Sequence, residues 1–314
     1  MTMPNFFVIG AAKAGTTAMH ATLSLHPQIF MSQVKETNYF IFPEAAACYR
    51  IGDDNELWRK RSIADRASYE ALFAGSAAYP VRGESSPGYG IAPFEVKAAE
   101  RIAAEALDAK FLYIIRQPAE WMYSSYTFSC QLQAEPEPNF RAARATGSAR
   151  IAANHFPRPY YLPHPGFLET IQLYQQLMGR EQVKVILYDE FRWRPIPVLQ
   201  EIALFLGVDP AAMPTESVKA NQTYVPGMAD KLARRFGALP WVKSLLPRAP
   251  RLRQWLRTFR FQTRGAVPPM DPALHHELTE QFRPDIEALA AFLGRDLSHW
   301  LIDKRDAAQT IARS

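Results

Sequence analysis

Residues Gly10 to Thr17 read Gly-Ala-Ala-Lys-Ala-Gly-Thr-Thr and follow the apolar run Phe6-Phe7-Val8-Ile9. A glycine-rich turn between a strand and a helix aims backbone N–H groups at whatever lies above it. The helix N-terminus adds partial positive charge, so such a turn favours phosphate or sulfate. Ala14 and Gly15 offer main-chain donors, Thr16 and Thr17 add hydroxyls, and Lys13 adds a full charge. A nucleotide P-loop would read G-x-x-x-x-G-K-[ST]. Here the glycines have that spacing, but the lysine stands two residues before the second glycine. The same residues also fit a tight strand–helix turn with a solvated lysine.

A second group lies far along the chain. The run FLYII ends at Arg116, and Ser124 follows eight residues later in a helix-like stretch. An arginine at the carboxyl end of a parallel strand stands where such folds present ligand-facing residues. Its planar fork suits a phosphate, and Ser124 can add a hydroxyl donor. The plainer alternative is a capping arginine and an ordinary helical serine. Another late strand, in VILYDEF, ends at Asp189 and Glu190, where a metal-dependent phosphotransferase would hold Mg²⁺. Two separated anion sites match a ligand shaped like 3′-phosphoadenosine 5′-phosphosulfate (PAPS). Lys35-Glu36, taken alone, reads as a surface ion pair.

The elements that must position these groups are legible in the hydropathy. Strands are expected at Phe6–Ile9, Ile29–Met31, Pro80–Arg82, Phe111–Ile115 and Val183–Tyr188. FLYII and VKVILY are nearly continuous apolar runs, as strands buried on both faces should be. Helices are expected at Thr16–Leu25, Ser68–Ala74, Pro93–Leu107, Pro118–Leu132, Phe167–Met178 and Ile196–Leu206, and helical periodicity resumes over Pro272–Trp300. This alternation predicts an α/β fold, a P-loop-type parallel sheet flanked by helices on both faces. The proline-rich segment 133–166 reads as a loop-rich substrate wall.

The chain has 314 residues, 48% of them hydrophobic, enough for a sizeable core. One domain over 1–314 is expected. Two cysteines, Cys48 and Cys130, form no CxxC pattern, which argues against a disulfide framework or zinc site. With no signal-like start and no run of about 20 apolar residues, a cytoplasmic protein is expected. Net charge is +5, yet residues 231–264 hold ten Lys or Arg and no acid, leaving the remainder at −5. That block reads as a basic helical insertion or lid for an anionic partner. Trp241, Leu245, Leu246, Trp255 and Leu256 interleave with its charges, so peripheral membrane contact is an alternative to core packing.

The ordered set of stretches resembles the PAPS-dependent sulfotransferase family, above all its carbohydrate (heparan-sulfate type) and bacterial branches. FFVIGAAKAGTTAMHATL resembles the 5′-phosphosulfate loop, HPQIFMSQVKETNYF the segment after it, and GESSPGY the next strand end. FLYIIRQPAEWMYSSY resembles the 3′-phosphate motif, with Arg116 and Ser124 on its binding positions; LTEQFRPDIEALAAFLGRDLSHW resembles the closing helix. The resemblance implies PAPS as co-substrate, 3′-phosphoadenosine 5′-phosphate (PAP) as product, no metal requirement and no nucleic-acid partner. It implies that Lys13 stabilises the departing phosphate and Glu36 acts as general base toward an acceptor hydroxyl or amine on a carbohydrate, lipid or small metabolite. His26, before Pro27, fits a structural His-Pro motif. Arg264 and Gly265, just before the final helix, are further cofactor contacts implied in this way.

One departure stands out. Where the heparan-sulfate branch carries a lysine before its Ser/Thr-Pro, this chain has Ser85, preceded by Glu84. That puts a glycosaminoglycan acceptor in doubt more than the transfer chemistry, and leaves Glu84 as a substrate ligand, a helper of Glu36, or a strand-end residue bonded to nearby backbone. Two other classes fit parts of the sequence: an ATP/Mg-dependent P-loop phosphotransferase, against which the missing G-K-[ST] lysine counts, and a non-catalytic nucleotide- or polyanion-binding protein.

Overall fold

The structure, a computed structural model, describes residues 3–41, 62–132, 134–137, 139–153, 155, 158–216, 218, 224–225 and 265–302. Strands β1 (Phe6–Gly10), β2 (Ile29–Met31), β3 (Val81–Ser85), β4 (Lys110–Ile115) and β5 (Val183–Leu187) form one sheet in the order β2-β3-β1-β4-β5. All four neighbouring pairs are parallel. A small antiparallel ribbon pairs β6 (Tyr224–Val225) with β7 (Gly265–Ala266).

Eleven α-helices are described. They are α1 (Thr16–Leu23), α2 (Arg66–Ala71), α3 (Phe94–Glu105), α4 (Pro118–Gln131), α5 (Phe140–Ala145), α6 (Gly147–Ala152), α7 (Phe167–Met178), α8 (Tyr188–Trp193), α9 (Pro195–Leu206), α10 (Pro272–Gln281) and α11 (Arg283–Leu293). They flank the sheet, with α3 and α11 packed on α7 and α10 on α4.

β1 is buried along its whole length because it lies between β3 and β4. Phe7 stacks on Phe111 of β4 at 5.5 Å and meets Phe40 edge-on at 5.8 Å, fastening sheet to flanking layer. The chain leaves β1 toward β2 on one side and later crosses to β4 on the other. That reversal opens a crevice beyond the carboxyl ends of β1 and β4, where ligands of such sheets bind.

Most expected elements recur within a few residues, with three corrections. The strand expected at Pro80–Arg82 runs Val81–Ser85. Gly-Glu-Ser looks like a turn by composition, but pairing of Gly83, Glu84 and Ser85 with Phe6, Phe7 and Val8 draws it into the sheet. A Cβ on Gly83 would lie 2.8 Å from the Phe6 ring, so the close approach requires glycine there. Segment 133–166 is less loop-like than expected: α5 starts from an Asn139 side-chain cap, and α6 follows. The single closing helix is instead α10 and α11, broken at Phe282, because Pro284 cannot donate to a continuing helix.

The basic block 231–264 lies outside the described residues. Among the described residues, no helix is long and apolar enough to cross a membrane.

Candidate active site

The loop after β1 takes its shape from two left-handed residues, Lys13 (φ 65°) and Gly15 (φ 87°). Gly15 is the N-cap of α1, and no side chain caps the helix. The first N–H groups of α1 have no intrahelical carbonyl to meet, which leaves Thr16 and Thr17 at an anion-favouring end. A Cβ on Gly15 would stand 3.1 Å from the ring of Tyr188, so the turn is both left-handed and sterically closed to larger residues.

Two side chains from across the sheet hold this loop. Arg116, directly after β4, donates from Nη1 to the carbonyl of Lys13 at 3.2 Å. Trp121 of α4 donates its indole N–H to the carbonyl of Ala12 at 2.6 Å. Arg116 is itself oriented: Nε and Nη2 donate to Glu120 Oε2 at 3.3 and 2.9 Å, and its guanidinium lies 4.7 Å from the Tyr188 ring centroid. Gln117 caps α4 by accepting from the Glu120 N–H at 2.8 Å. Its amide donates to Thr279 Oγ1 at 3.0 Å, which ties α4 to α10.

Lys13 places its ammonium 4.0 Å from the centroid of Phe128, near the far end of α4. Burial, with the neighbouring Arg116 charge, pushes Lys13 down to about 8 from the ordinary lysine value. The Glu36 and Lys35 charges also act on it, the first raising and the second lowering it, so the β1 loop and the 35–36 loop lie near each other.

Glu36 is also left-handed, at φ 64°. Its N–H donates to the Ser85 carbonyl at 2.9 Å, which fixes the loop against the end of β3. Its carboxylate is half exposed and accepts from the Lys35 ammonium at 2.6 Å. Where the resemblance calls for a lysine, Ser85 is fully buried, and the cation beside Glu36 comes from Lys35 instead. Glu84 is fully buried too and accepts a bond from Thr37 Oγ1, a side chain rather than the nearby backbone.

Ser124 is half-buried on α4, and its carbonyl accepts from Thr127 Oγ1 at 3.1 Å. Gly265 pairs with Val225, and α4 packs on β6. Tyr123, next to Ser124, donates to the Pro268 carbonyl at 3.0 Å, so the segment after Gly265 lies along α4. Arg264 lies outside the described residues.

The other candidate groups point elsewhere. His26 accepts the Gln28 N–H on Nδ1 at 3.1 Å, so Nε2 donates to the Asp209 carbonyl at 2.9 Å; the ring latches a turn. Asp189 accepts from the Trp300 indole at 2.7 Å, and Glu190 pairs with Arg295. Both acids at the end of β5 are thus engaged by the C-terminal segment. Among the described residues, no cluster of three or more His, Cys, Asp or Glu could hold a metal ion.

Sequence reasoning missed the fasteners Trp121, Glu120 and Tyr188. Trp121 alone carried a signal, as a large aromatic one turn after a strand-end arginine.

Comparison with known proteins agrees with this fold. A family model described as "Sulfotransferase family" matches residues 4–212. A crystal structure of a sulfotransferase from Alicyclobacillus acidocaldarius is 28% identical, covers 96% of this chain and 99% of its own, and superimposes with a TM-score of 0.72. The human bifunctional heparan sulfate N-deacetylase/N-sulfotransferase 2 is 26% identical over 223 residues, 66% of this chain and 22% of that protein. Mouse carbohydrate sulfotransferase 15 is 22% identical over 234 residues, 65% of this chain and 36% of that protein. The chain therefore spans well under half the length of these two relatives. With the matched region running from before β1 past β5, and with the crevice loops inside it, the chain belongs to the sulfotransferase family.

Proposed function

We propose that the protein is a PAPS-dependent sulfotransferase acting on a hydroxyl or amine. One observation carries the reading: the fold brings the Lys13 loop and Arg116 into contact at the switch point of the sheet. The residues present fit a 3′-phosphorylated donor. The uncapped start of α1, the glycine that leaves room beside Tyr188, Thr16 and Thr17 would take the 5′ end. Arg116, after its bonds to Glu120 and Lys13, keeps guanidinium hydrogens for the 3′-phosphate, with Ser124, Gly265 and Arg264 as further contacts.

The donor supplies an activated sulfuryl group: its S–O bond to phosphate breaks as an S–O or S–N bond forms to the acceptor. Lys13 stabilises the negative charge left on the phosphate, a fixed charge aimed at where charge develops. Glu36 takes the acceptor proton, and its loop, pinned to Ser85, holds the carboxylate for that transfer. Lys35 pairs with Glu36 and supplies the cation absent at Ser85.

The names of the curated relatives put amine- and hydroxyl-bearing carbohydrates first among acceptors to screen. Lipids and small metabolites come next. The competing phosphotransferase would use ATP and Mg²⁺, and the engagement of Asp189 and Glu190 by Trp300 and Arg295 disfavours it.

The test is a thermal-shift titration with PAP against ATP–Mg²⁺ and AMP. A ligand at about 100 Kd stabilises by about 2.7 kcal/mol, a shift of several degrees at about 2–4 °C per kcal/mol. Selective stabilisation by PAP supports the reading. Stabilisation by ATP–Mg²⁺ alone transfers it to the phosphotransferase.

A further inference from the structure

The loop that carries Glu36 contains two left-handed residues that are not glycine, Glu36 at φ 64° and Asn38 at φ 51°. Such backbone persists only where the surroundings over-determine it. Here the surroundings are the end of β3 and the turn beyond it. The Glu36 N–H goes to the Ser85 carbonyl at 2.9 Å, and the Asn38 N–H to Ser86 Oγ at 3.1 Å. The Phe40 N–H goes to the Tyr89 hydroxyl at 3.3 Å. Thr37, between the two left-handed residues, donates from Oγ1 to Glu84 Oε2.

Glu84 is the anomalous member of this set. It is fully buried, and its other oxygen, Oε1, has no hydrogen-bond partner. The groups facing it are Thr37 from its own loop, Ser86 and Tyr89 from the turn after β3, and Tyr69 from α2; none is a cation. Tyr69 likewise has a buried hydroxyl without a partner. A carboxylate buried among neutral groups is costly, and a protonated acid is less so. Burial accordingly pushes Glu84 up to about 7.

We propose that Glu84 is a positioning residue for Glu36, holding the left-handed loop through Thr37. The inference rests on Glu36 being the base. Glu84 is too buried to touch an acceptor; it acts through the bond that Thr37 donates to it. The site then uses two carboxyls in different ways: Glu36 half exposed beside an ammonium, Glu84 fully buried among hydroxyls with its proton held more tightly than usual.

The test uses the full chain with Glu84→Gln, Glu84→Ala and Thr37→Val. Three quantities are read: hydrogen exchange at the Glu36 amide, PAP affinity by calorimetry, and kcat for PAP release from PAPS with a glucosamine disaccharide, which offers amine and hydroxyls. Glu84→Gln should match wild type in all three, because an amide keeps the neutral shape and the acceptor for Thr37. Glu84→Ala and Thr37→Val should keep PAP affinity, which also certifies that they fold. Their Glu36 amide should exchange faster, and kcat should fall about 10²-fold, the scale of a 1 Å misplacement. Unchanged exchange and kcat in Glu84→Ala overturn the proposal, as does a Glu84→Gln variant as damaged as Glu84→Ala. If Glu84→Ala loses PAP affinity, Thr37→Val decides alone by the same two readouts. If wild type binds PAP but releases none with this disaccharide, the acceptor is of another class; if it does not bind PAP, the transfer reading fails; in both cases the exchange measurement still decides whether Glu84 holds the loop.

Discussion

Arg116 donates to the carbonyl of Lys13 across the boundary between β4 and β1, at 3.2 Å. The residue proposed to read one end of the donor thus also sets the backbone that reads the other end. Charge recognition and loop geometry are coupled through a single guanidinium.

Arg116→Ala should therefore weaken PAP and 3′-dephospho analogues together, but PAP much more. The shared part is the released loop, and the excess is the lost charge-assisted bond to the 3′-phosphate, typically about 1.5–3 kcal/mol. Calorimetry with the paired ligands measures both parts. Equal losses would remove Arg116 as the 3′-phosphate contact and leave it as a loop clamp.

Glu36→Gln should lower kcat by about 10²–10⁴-fold, the range for loss of a general base. PAP affinity should change little, because the Glu36 backbone bond to Ser85 survives the substitution. Single-turnover transfer from labelled PAPS checks this, and a wild-type rate in the variant assigns the base elsewhere.

Lys13 sits at about 8, so it is mostly an ammonium at neutral pH and loses its proton on mild alkalinisation. kcat/KM for PAPS, which reports the free enzyme, should fall as pH rises through about 8. The corresponding limb in kcat should lie higher, because the bound anion stabilises the ammonium. Lys13→Arg, whose charge does not titrate in this range, should remove the alkaline limb from kcat/KM at a lower absolute rate.

Glu84 makes a thermodynamic prediction as well. Its carboxyl ionises near 4.5 in the unfolded chain and near 7 in the fold. Between those values the folded state holds the extra proton, so stability falls as pH rises and levels off above about 7. The full penalty is about 3 kcal/mol, from a raised value of this size. Denaturation at pH 4.5 and pH 8 should show Glu84→Gln gaining on wild type by up to about 3 kcal/mol at the higher pH. A movement in the opposite direction would mean that Glu84 is ionised and stabilised in the fold.

The sheet and the first anion site were readable in the sequence because both depend on local order. FFVI and FLYII are apolar on successive residues, as strands covered on both faces should be, and the Gly10–Thr17 spacing encodes its own turn. Arg116 was legible for the same reason: it ends such a strand. What depends on contacts between distant segments was not legible. Glu84 was readable as a strand-end residue, but it becomes a fully buried carboxyl only because β3 pairs with β1 and Thr37 folds over it. The cation beside Glu36 shows the same dependence. Composition made Lys35-Glu36 a surface pair, yet pinning Glu36 to Ser85 in a left-handed conformation brings that half-exposed pair within electrostatic reach of Lys13. Periodicity and turn chemistry act over a few residues and decide which elements exist; the burial of a charge is decided by which elements meet.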